Sequence, residues 1–269
     1  MQIFLKDEDI INKKENDTEV VIQNRETYHH LVDVLRIEKG ENLVAIDKNE
    51  NIFNLKIVKI NKKSIIANGE KGKEIKENQF KYILFQGIPK SKKLDDIVEK
   101  TTEIGIDQII PIEMERSIVK KRDFNKNKEE RLKSKAESAS AQSKRNNITE
   151  IHKPIYFSEF IKILEEKQDQ NAKTYVFVFY EKENKSLKEQ IKEIKKQIQK
   201  EEKVEDNKNI NIIILIGPEG GISEKEIEEI NKIKKIKIDI HISSLGKNIL
   251  RTETAGIVAL SILKYELES

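Results

Sequence analysis

Hydrophobic and polar positions alternate in blocks along the 269-residue chain, and residues 212–216 form its most apolar block, with four isoleucines and a leucine. Such a run predicts a strand buried on both faces, as in a parallel sheet. The glycine-rich sequence GPEGG at 217–221 ends the run, and Ser223 with Glu226 has the pattern of a helix capping box. The stretch therefore predicts a strand, a glycine turn and a helix, an arrangement that serves as a ligand site or as an ordinary tight turn.

Residues 1–72 predict a small β-rich unit. Apolar residues alternate with polar ones at Leu43, Ala45, Phe53, Leu55 and Ile57, the period of half-buried strands. Further predicted elements are strands over 3–5 and 19–22, turns at 49–51 and 61–63 and a short helix over 28–35. This combination is typical of a small RNA-binding barrel, by analogy alone.

A polar linker is predicted over 69–78, and the pattern then changes to alternating strands and helices. Strands are predicted over 82–85, 108–112, 175–179, 212–216 and 238–242, and helices over 94–104, 127–143, 187–198, 223 onward and 255–263, with an exposed loop over 200–209. Strands that alternate with helices predict a mainly parallel sheet covered on both faces.

Composition narrows the choice of function only a little. The net charge is +3, from 51 Lys and Arg against 48 Asp and Glu, so nucleic acid is neither required nor excluded as a partner. There are no cysteines and only four histidines, which gives no metal-ligand pattern. No apolar run has the length of a membrane span, and we expect a cytoplasmic protein.

Two more stretches lack a purely structural explanation. Residues 244–255 again follow a predicted strand and precede a helix. They place Arg251 near the N-terminus of that helix, where a cation is unfavourable because it opposes the helix dipole. The alternative is that Arg251 only forms a surface ion pair with a nearby carboxylate. Residues 86–93 lie at the end of the strand predicted over 82–85, and their lysines either contact phosphate or are simply solvated. The glycine loops at 217–221 and 244–250, which we expect at adjacent strand ends, predict a pocket for a small organic ligand. The dinucleotide and P-loop fingerprints are absent.

Several separated motifs occur in a characteristic order. They are HL at 30–31 with VLR at 34–36, the segments 93–103, 105, 111, 115–116 and 139–145, LIGPEGG at 215–221, and LG at 245–246 with ILRTETA at 249–255. Together they resemble the RsmE family of ribosomal RNA uridine N3-methyltransferases, of the SPOUT superfamily. The chain departs from the family's usual residues at Ala141 and Asn248.

The resemblance implies an α/β protein with a PUA-like β-barrel over 1–72, for RNA binding, and a trefoil-knotted SPOUT methyltransferase domain over 78–269. It also implies small-subunit ribosomal RNA as substrate, S-adenosyl-L-methionine as methyl donor and an obligate homodimer, with no metal and no membrane. The implied cofactor-binding residues are Leu84, Gln86, Leu215, Ile216, Gly217, Glu219, Gly220, Gly221, Ser244, Leu245, Gly246, Ile249, Leu250, Thr254 and Ala255.

Uridine N3 must lose a proton when it attacks the sulfonium methyl group. Arg251 is the candidate for stabilising the developing anion, and Glu219 and Glu253 are candidate bases, unless alignment of the reactants suffices without a strong base. Candidate RNA-binding residues are His30, Arg36, Lys90, Lys93 and Arg145. We expect a side chain at Gly220 to obstruct the cofactor.

The last helix carries an apolar stripe of small and aliphatic residues at Ala255, Val258, Ala259, Ile262 and Leu263. This stripe is the sequence basis for a dimer interface, or it packs within its own monomer. The alternatives for function are a SPOUT methyltransferase of another RNA, a non-enzymatic RNA-binding protein of the same fold, and a nucleotide-dependent α/β enzyme.

Overall fold

The computed structural model describes residues 1–13, 17–73, 78–90, 92–167, 172–202, 209–233 and 238–269. Contacts within the chain divide it into two units. The first unit contains residues 1–77 together with 140–148, and the second contains residues 78–139 and 149–269.

The first unit is built on a six-stranded sheet. Its strands are β1 (Gln2–Phe4), β2 (Ile10–Lys13), β3 (Thr18–Ile22), β4 (Asn42–Ile46), β5 (Ile52–Ile60) and β6 (Ile65–Lys71), in the order β1-β4-β5-β6-β3-β2. Among the strand pairs that the structure describes here, only β1–β4 is parallel. Alternate residues Phe53, Leu55 and Ile57 of β5 are buried in one cluster, which confirms the predicted period.

A short helix crosses between β3 and β4. Helix α1 (Arg25–His29) continues into a π-helical turn, His30–Val34. It begins before the predicted Tyr28, because the Asn24 side chain accepts a hydrogen bond from the Thr27 N–H (3.0 Å) and so caps the helix.

The predicted linker over 69–78 begins too early. Gly69 lies within β6, between β5 and β3, and a Cβ there would stand 1.9 Å from the backbone oxygen of Asn54. The glycine therefore marks a close approach of two strands and not the end of the sheet. Residues 74–77 of the predicted linker lie outside the described residues.

The second unit alternates strands and helices. Its strands are β7 (Phe80–Gly87), β8 (Gln108–Glu113), β9 (Glu150–Ile151), β10 (Ile155–Tyr156), β11 (Lys173–Phe179), β12 (Ile210–Ile216) and β13 (Ile238–Ser243). Its helices are α2 (Lys93–Ile104), α3 (Lys126–Gln142, which ends in the first unit), α4 (Phe157–Lys167), α5 (Leu187–Glu202), α6 (Glu224–Lys232) and α7 (Thr252–Glu268), with a 3₁₀ turn at Lys121–Asp123.

All strand pairs described in this unit are parallel, in the order β10-β8-β7-β12-β11-β13 with β9 beside β8, so the predicted α/β class with a mainly parallel sheet is confirmed. Every residue of β12 is buried. Ile213 and Leu215 pack in one cluster with Phe160 of α4 and Ile230 of α6, while α7 packs against β12, β7, α2 and α5. The predicted cover on both faces of the sheet is therefore present. The strand order alone does not establish the knot, which stays a prediction.

Three sequence predictions for this unit need correction. Helix α4 was not predicted, although Phe157, Phe160 and Leu164 recur at helical spacing and are buried. Residues 200–202 belong to α5 and not to an exposed loop, and 203–208 lie outside the described residues. In α7 the buried face contains Gly256 and Leu260 beside Ala259 and Leu263, whereas Ala255, Val258 and Ile262 are only half-buried, so the predicted stripe is divided between two faces.

Candidate active site

A cavity of about 510 Å³ opens where the loops after β11, β12 and β13 meet. The predicted adjacency of the two glycine loops is wrong, because β11 lies between β12 and β13 in the sheet. The loops after β12 and β13 instead meet over the carboxyl end of β11, and both line the cavity. This is the strand end at which parallel α/β sheets bind ligands.

Most of the predicted cofactor residues lie together around this cavity. They are Ile216, Gly217, Glu219, Gly220, Gly221, Ser244, Leu245, Gly246, Ile249, Leu250 and Ala255, with the catalytic candidate Arg251 beside them. Lining residues that the sequence analysis did not assign to the cofactor are Phe179, Tyr180, Glu181, Pro218, Ile222, Lys247, Asn248 and Thr252, together with Lys93. The sequence could have indicated Phe179, Tyr180 and Glu181, because they lie at the end of a strand that was predicted to belong to a parallel sheet.

Four predicted cofactor residues are not among those that line the cavity. Leu215 is fully buried in the core cluster, and Leu84 and Gln86 are fully buried in β7. Thr254 is exposed in the first turn of α7. Strand alternation explains Leu215, since its neighbour Ile216 lies at the end of β12 and reaches the cavity.

A buried hydrogen-bond relay joins the start of α7 to the glycine loop. The Thr252 hydroxyl donates to the Gly217 carbonyl oxygen (2.6 Å) and accepts from the Gln86 amide nitrogen (2.9 Å). Thr252 and Gln86 are both buried, so each bond replaces hydration that these groups have lost. The relay fixes the mutual position of β7, the glycine loop and α7.

Glu115 and Arg116 hold the other side of the glycine loop. The Arg116 guanidinium donates to the carbonyl oxygens of Gly220 (3.0 Å) and Ile222 (3.3 Å), and Glu115 accepts from the Ser223 hydroxyl (2.6 Å). Ser223 and Glu226 also form the predicted capping box.

A Cβ at Gly220 would stand 2.9 Å from the Cβ of Arg116. A substitution at Gly220 would therefore first displace Arg116. Weaker cofactor binding by a Gly220 variant would therefore have two explanations, a side chain that obstructs the cofactor and a loop that is distorted through Arg116.

A charge cluster connects three loops beside the cavity. The Lys93 ammonium lies 3.2 Å from Glu219 and 3.1 Å from Glu253, and the Lys90 backbone N–H donates to Glu219 (3.0 Å). The hydrogen bond to Glu253 is the main reason that the pKa of Lys93 lies above its ordinary value. Burial acts to raise the pKa of Glu219, but hydrogen bonds from the backbone and from Lys93 outweigh it, so this pKa is lowered.

Arg251 differs from these neighbours because it has no carboxylate partner among the described residues. It is exposed and lies at the N-cap of α7, where its side chain makes no capping bond and its carbonyl accepts from the Ala255 N–H (2.8 Å). The surface ion pair that was the alternative explanation is therefore not found in the described part of the chain. A free guanidinium at a helix N-terminus is available to an anionic ligand.

Three of the RNA-binding candidates belong to the first unit. His30 is exposed, and so is Arg36, which has a positive φ of 54°. Arg145 is half-buried and donates to the Asn147 side chain (2.9 Å). Lys90 is exposed in the second unit, whereas Lys93 is held in the carboxylate cluster.

In the described ranges, no cluster of three or more His, Asp and Glu side chains could hold a metal ion. None of the helices in these ranges has the length and apolarity of a membrane span.

Two family models match the chain. The model of an RNA methyltransferase domain matches residues 76–264, and the model of an RNA methyltransferase PUA domain matches residues 22–68. Ribosomal RNA small subunit methyltransferase E of Bacillus subtilis is 31% identical over 247 residues, which covers 90% of this chain and 89% of that protein. The protein of the same name from Buchnera aphidicola is also 31% identical, with 89% and 85% covered.

The fold is shared with solved structures. The crystal structure of a ribosomal RNA small subunit methyltransferase E from Neisseria gonorrhoeae, bound to S-adenosyl methionine, aligns with a TM-score of 0.73 over 98% of this chain and 96% of that one. The two sequences are 20% identical, so this likeness concerns the fold.

Proposed function

This chain belongs to the ribosomal RNA small subunit methyltransferase E family, and from that premise we propose that it methylates N3 of a uridine in the RNA of the small ribosomal subunit. The methyl donor is S-adenosylmethionine, and we propose the cytoplasm as the place of action. The single observation that carries the proposal is the cavity at the ends of β11, β12 and β13, which gathers the two family motifs around one free arginine.

The residues of the cavity fit this cofactor. A volume of about 510 Å³ lies in the range of small-molecule sites. Ile216, Leu245 and Leu250 offer apolar surface for a base, and the space beside Gly246 is open, since a Cβ there would meet no atom within 4 Å. The backbone of 217–221 and 245–250 is proposed to hold the adenosine.

When bound, S-adenosylmethionine supplies a methyl group that is activated by the sulfonium. The Arg251 guanidinium is proposed to stabilise the negative charge that develops on the uracil as N3 loses its proton. Glu219 is a weak base at neutral pH, because its pKa is lowered, and Glu253 is paired with the same lysine. These contacts favour a reaction that depends on alignment and on Arg251, with Glu219 and Glu253 as positioning groups.

RNA capture is proposed for the first unit, through Arg36 with His30 and Arg145. The PUA-domain match at 22–68 includes Arg36, and the exposed Val34 and Leu35 beside it offer apolar surface to bases. Phosphate contacts release counterions, so an Arg36→Ala variant should bind RNA more weakly and with a flatter salt dependence. If Arg36 serves only the fold, stability falls and the salt slope stays unchanged.

A homodimer is proposed through the outer face of α7. Val258 and Ile262 are half-buried and Tyr265 is 73% exposed on one side of this helix. Apolar residues spaced at i, i+4 and i+7 form a continuous stripe that a second copy can cover. Sedimentation should show a dimer at assay concentration, and a fully active monomer would refute this part.

The direct test of the proposed function is mass-spectrometric mapping of uridines in small-subunit ribosomal RNA after incubation with the protein and S-adenosylmethionine, and in cells that lack the gene. We expect one N3-methyluridine that appears with the protein and disappears in the deletion. A methyl group on another RNA or on a ribose would favour a different SPOUT substrate, and no transfer with RNA binding retained would favour a non-enzymatic protein.

A further inference from the structure

Two carboxylates of the described residues line the cavity, and they differ in their partners. Glu219 is engaged by Lys93 and by the Lys90 N–H. Glu181, which follows β11, is exposed and forms no hydrogen bond or ion pair with any described residue. The cavity therefore presents one carboxylate that has no partner among the described residues, on the wall at the end of its central strand.

The glycine loop makes room for this carboxylate. A Cβ at Gly221 would stand 2.7 Å from one carboxylate oxygen of Glu181 and 3.2 Å from the other, and Gly221 has a positive φ of 72°. The Glu181 carboxylate thus lies against Gly221, whose positive φ by itself favours glycine there.

No cation that lines the cavity or adjoins Glu181 in the chain pairs with it in the described residues. The ammonium of Lys182 pairs with Glu224 (2.6 Å), and the Arg116 guanidinium donates to the Gly220 and Ile222 carbonyls. A ligand that fills the cavity would take water from Glu181, which is unfavourable unless the ligand returns a hydrogen bond. The carboxylate therefore selects for an O–H or N–H donor.

We propose that Glu181 is a cofactor-recognition residue that accepts hydrogen bonds from a donor group of S-adenosylmethionine, either the ribose hydroxyls or the α-ammonium. The sulfonium carries positive charge but no hydrogen to donate, so it is not the proposed partner. This inference rests on the proposed function, because it assumes that the cavity holds this cofactor.

Calorimetry with three probes tests the assignment. S-adenosylmethionine and S-adenosylhomocysteine both carry the ribose and the ammonium, whereas 5′-methylthioadenosine carries the ribose but no amino acid. Glu181→Gln keeps the shape and removes the charge, and we expect about tenfold weaker binding of the first two probes. Weaker binding of 5′-methylthioadenosine as well assigns the ribose, and unchanged binding of it assigns the ammonium.

Glu183→Gln is the matched control, because it removes the same charge from the same loop outside the cavity lining, and it should bind like the wild type. Unchanged affinity of Glu181→Gln for both cofactor forms, or a loss confined to S-adenosylmethionine, overturns the inference and leaves the proposed function standing. If the wild-type protein itself does not bind S-adenosylmethionine, the proposed function fails. Thermal unfolding without ligand checks that the variants are folded.

Discussion

The two glycine loops that line the cavity differ in how they are held. The loop at 217–221 is fixed from three sides, by Arg116, by the Thr252 relay and by Lys93. The loop at 244–250 has no such partners among the described residues: Gly246 faces open space and Ile249 is 85% exposed. One loop is thus preorganised by its own unit, while the other presents free groups to a ligand.

This difference separates two tasks within one site. A preorganised wall holds a small ligand without losing conformational entropy on binding. An open wall with a free guanidinium suits a larger partner that arrives from outside and completes the site. We therefore propose that the fixed loop forms the preorganised part of the cofactor site, to which the backbone of 245–250 adds, and that the uracil lies on the side of Arg251.

The largest expected effect is a loss of stability when a methyl group is added against the fixed loop, compared with a methyl group added to the open loop. A Cβ at Gly87 would stand 2.4 Å from the backbone nitrogen of Pro218, so Gly87→Ala should lower the free energy of unfolding by about 3 kcal/mol or more. Gly246→Ala meets no atom within 4 Å and should cost about 1–2 kcal/mol, from its φ of 115°. Gly40→Ala, with open space and a φ of 97°, is the control for backbone strain.

Chemical unfolding of the full chain measures all three variants. Equal losses for Gly87→Ala and Gly246→Ala would remove the distinction between a fixed and an open loop.

A smaller effect is expected from the buried relay. Thr252→Val deprives the Gly217 carbonyl of its donor and the Gln86 amide of an acceptor, which should cost about 1–3 kcal/mol of unfolding free energy. Thr254→Val changes an exposed residue of the same helix turn and should stay within about 0.5 kcal/mol. Thermal or chemical unfolding compares the two, and similar values for both variants would show that the relay does not hold the loop.

The charge cluster predicts that the wild type and Lys93→Met differ in stability against unfolding, and that this difference depends on pH. The folded-state pKa of Glu219 is lowered, so its pairing stabilises the protein above the pKa of an unfolded glutamate, about 4.3, and this is lost as the pH falls through the folded value. The pKa of Lys93 is raised, so its contribution is present below the pKa of an unfolded lysine, about 10.4, and is lost as the pH rises through the folded value.

Unfolding measured across pH should therefore show the wild type more stable than Lys93→Met at neutral pH, with the gap closing in acid. The effect is the smallest of the three, since the side chains are partly exposed and salt screens them. If Lys93 instead meets RNA phosphate, as first expected, the variant changes the salt dependence of RNA binding and its stability hardly varies with pH.

Local patterns in the sequence predicted the fold well where neighbours in the chain decide the structure. The run at 212–216 and the capping box of Ser223 and Glu226 are both present as expected. Gly69 was misread because the reason for a glycine there is the backbone of Asn54 on the next strand.

The site was predicted less completely for the same physical reason. The hydrogen bond between Arg116 and Gly220 joins residues 104 positions apart in the sequence, and that between Gln86 and Thr252 joins residues 166 positions apart, so no local sequence pattern predicts these contacts. Glu181 lies outside both glycine motifs and reaches the cavity only because β11 is placed between β12 and β13. Strand order, which local periodicity does not encode, decides which loops share a cavity.

The most direct measurement is single-turnover methylation by Arg251→Ala at saturating RNA and S-adenosylmethionine, with cofactor affinity measured in parallel by calorimetry. We expect a rate about 100-fold or more below that of the wild type, as for loss of a group that stabilises developing charge, and a cofactor affinity close to that of the wild type. A wild-type rate under these conditions would contradict the proposed role of Arg251 and remove it from the mechanism.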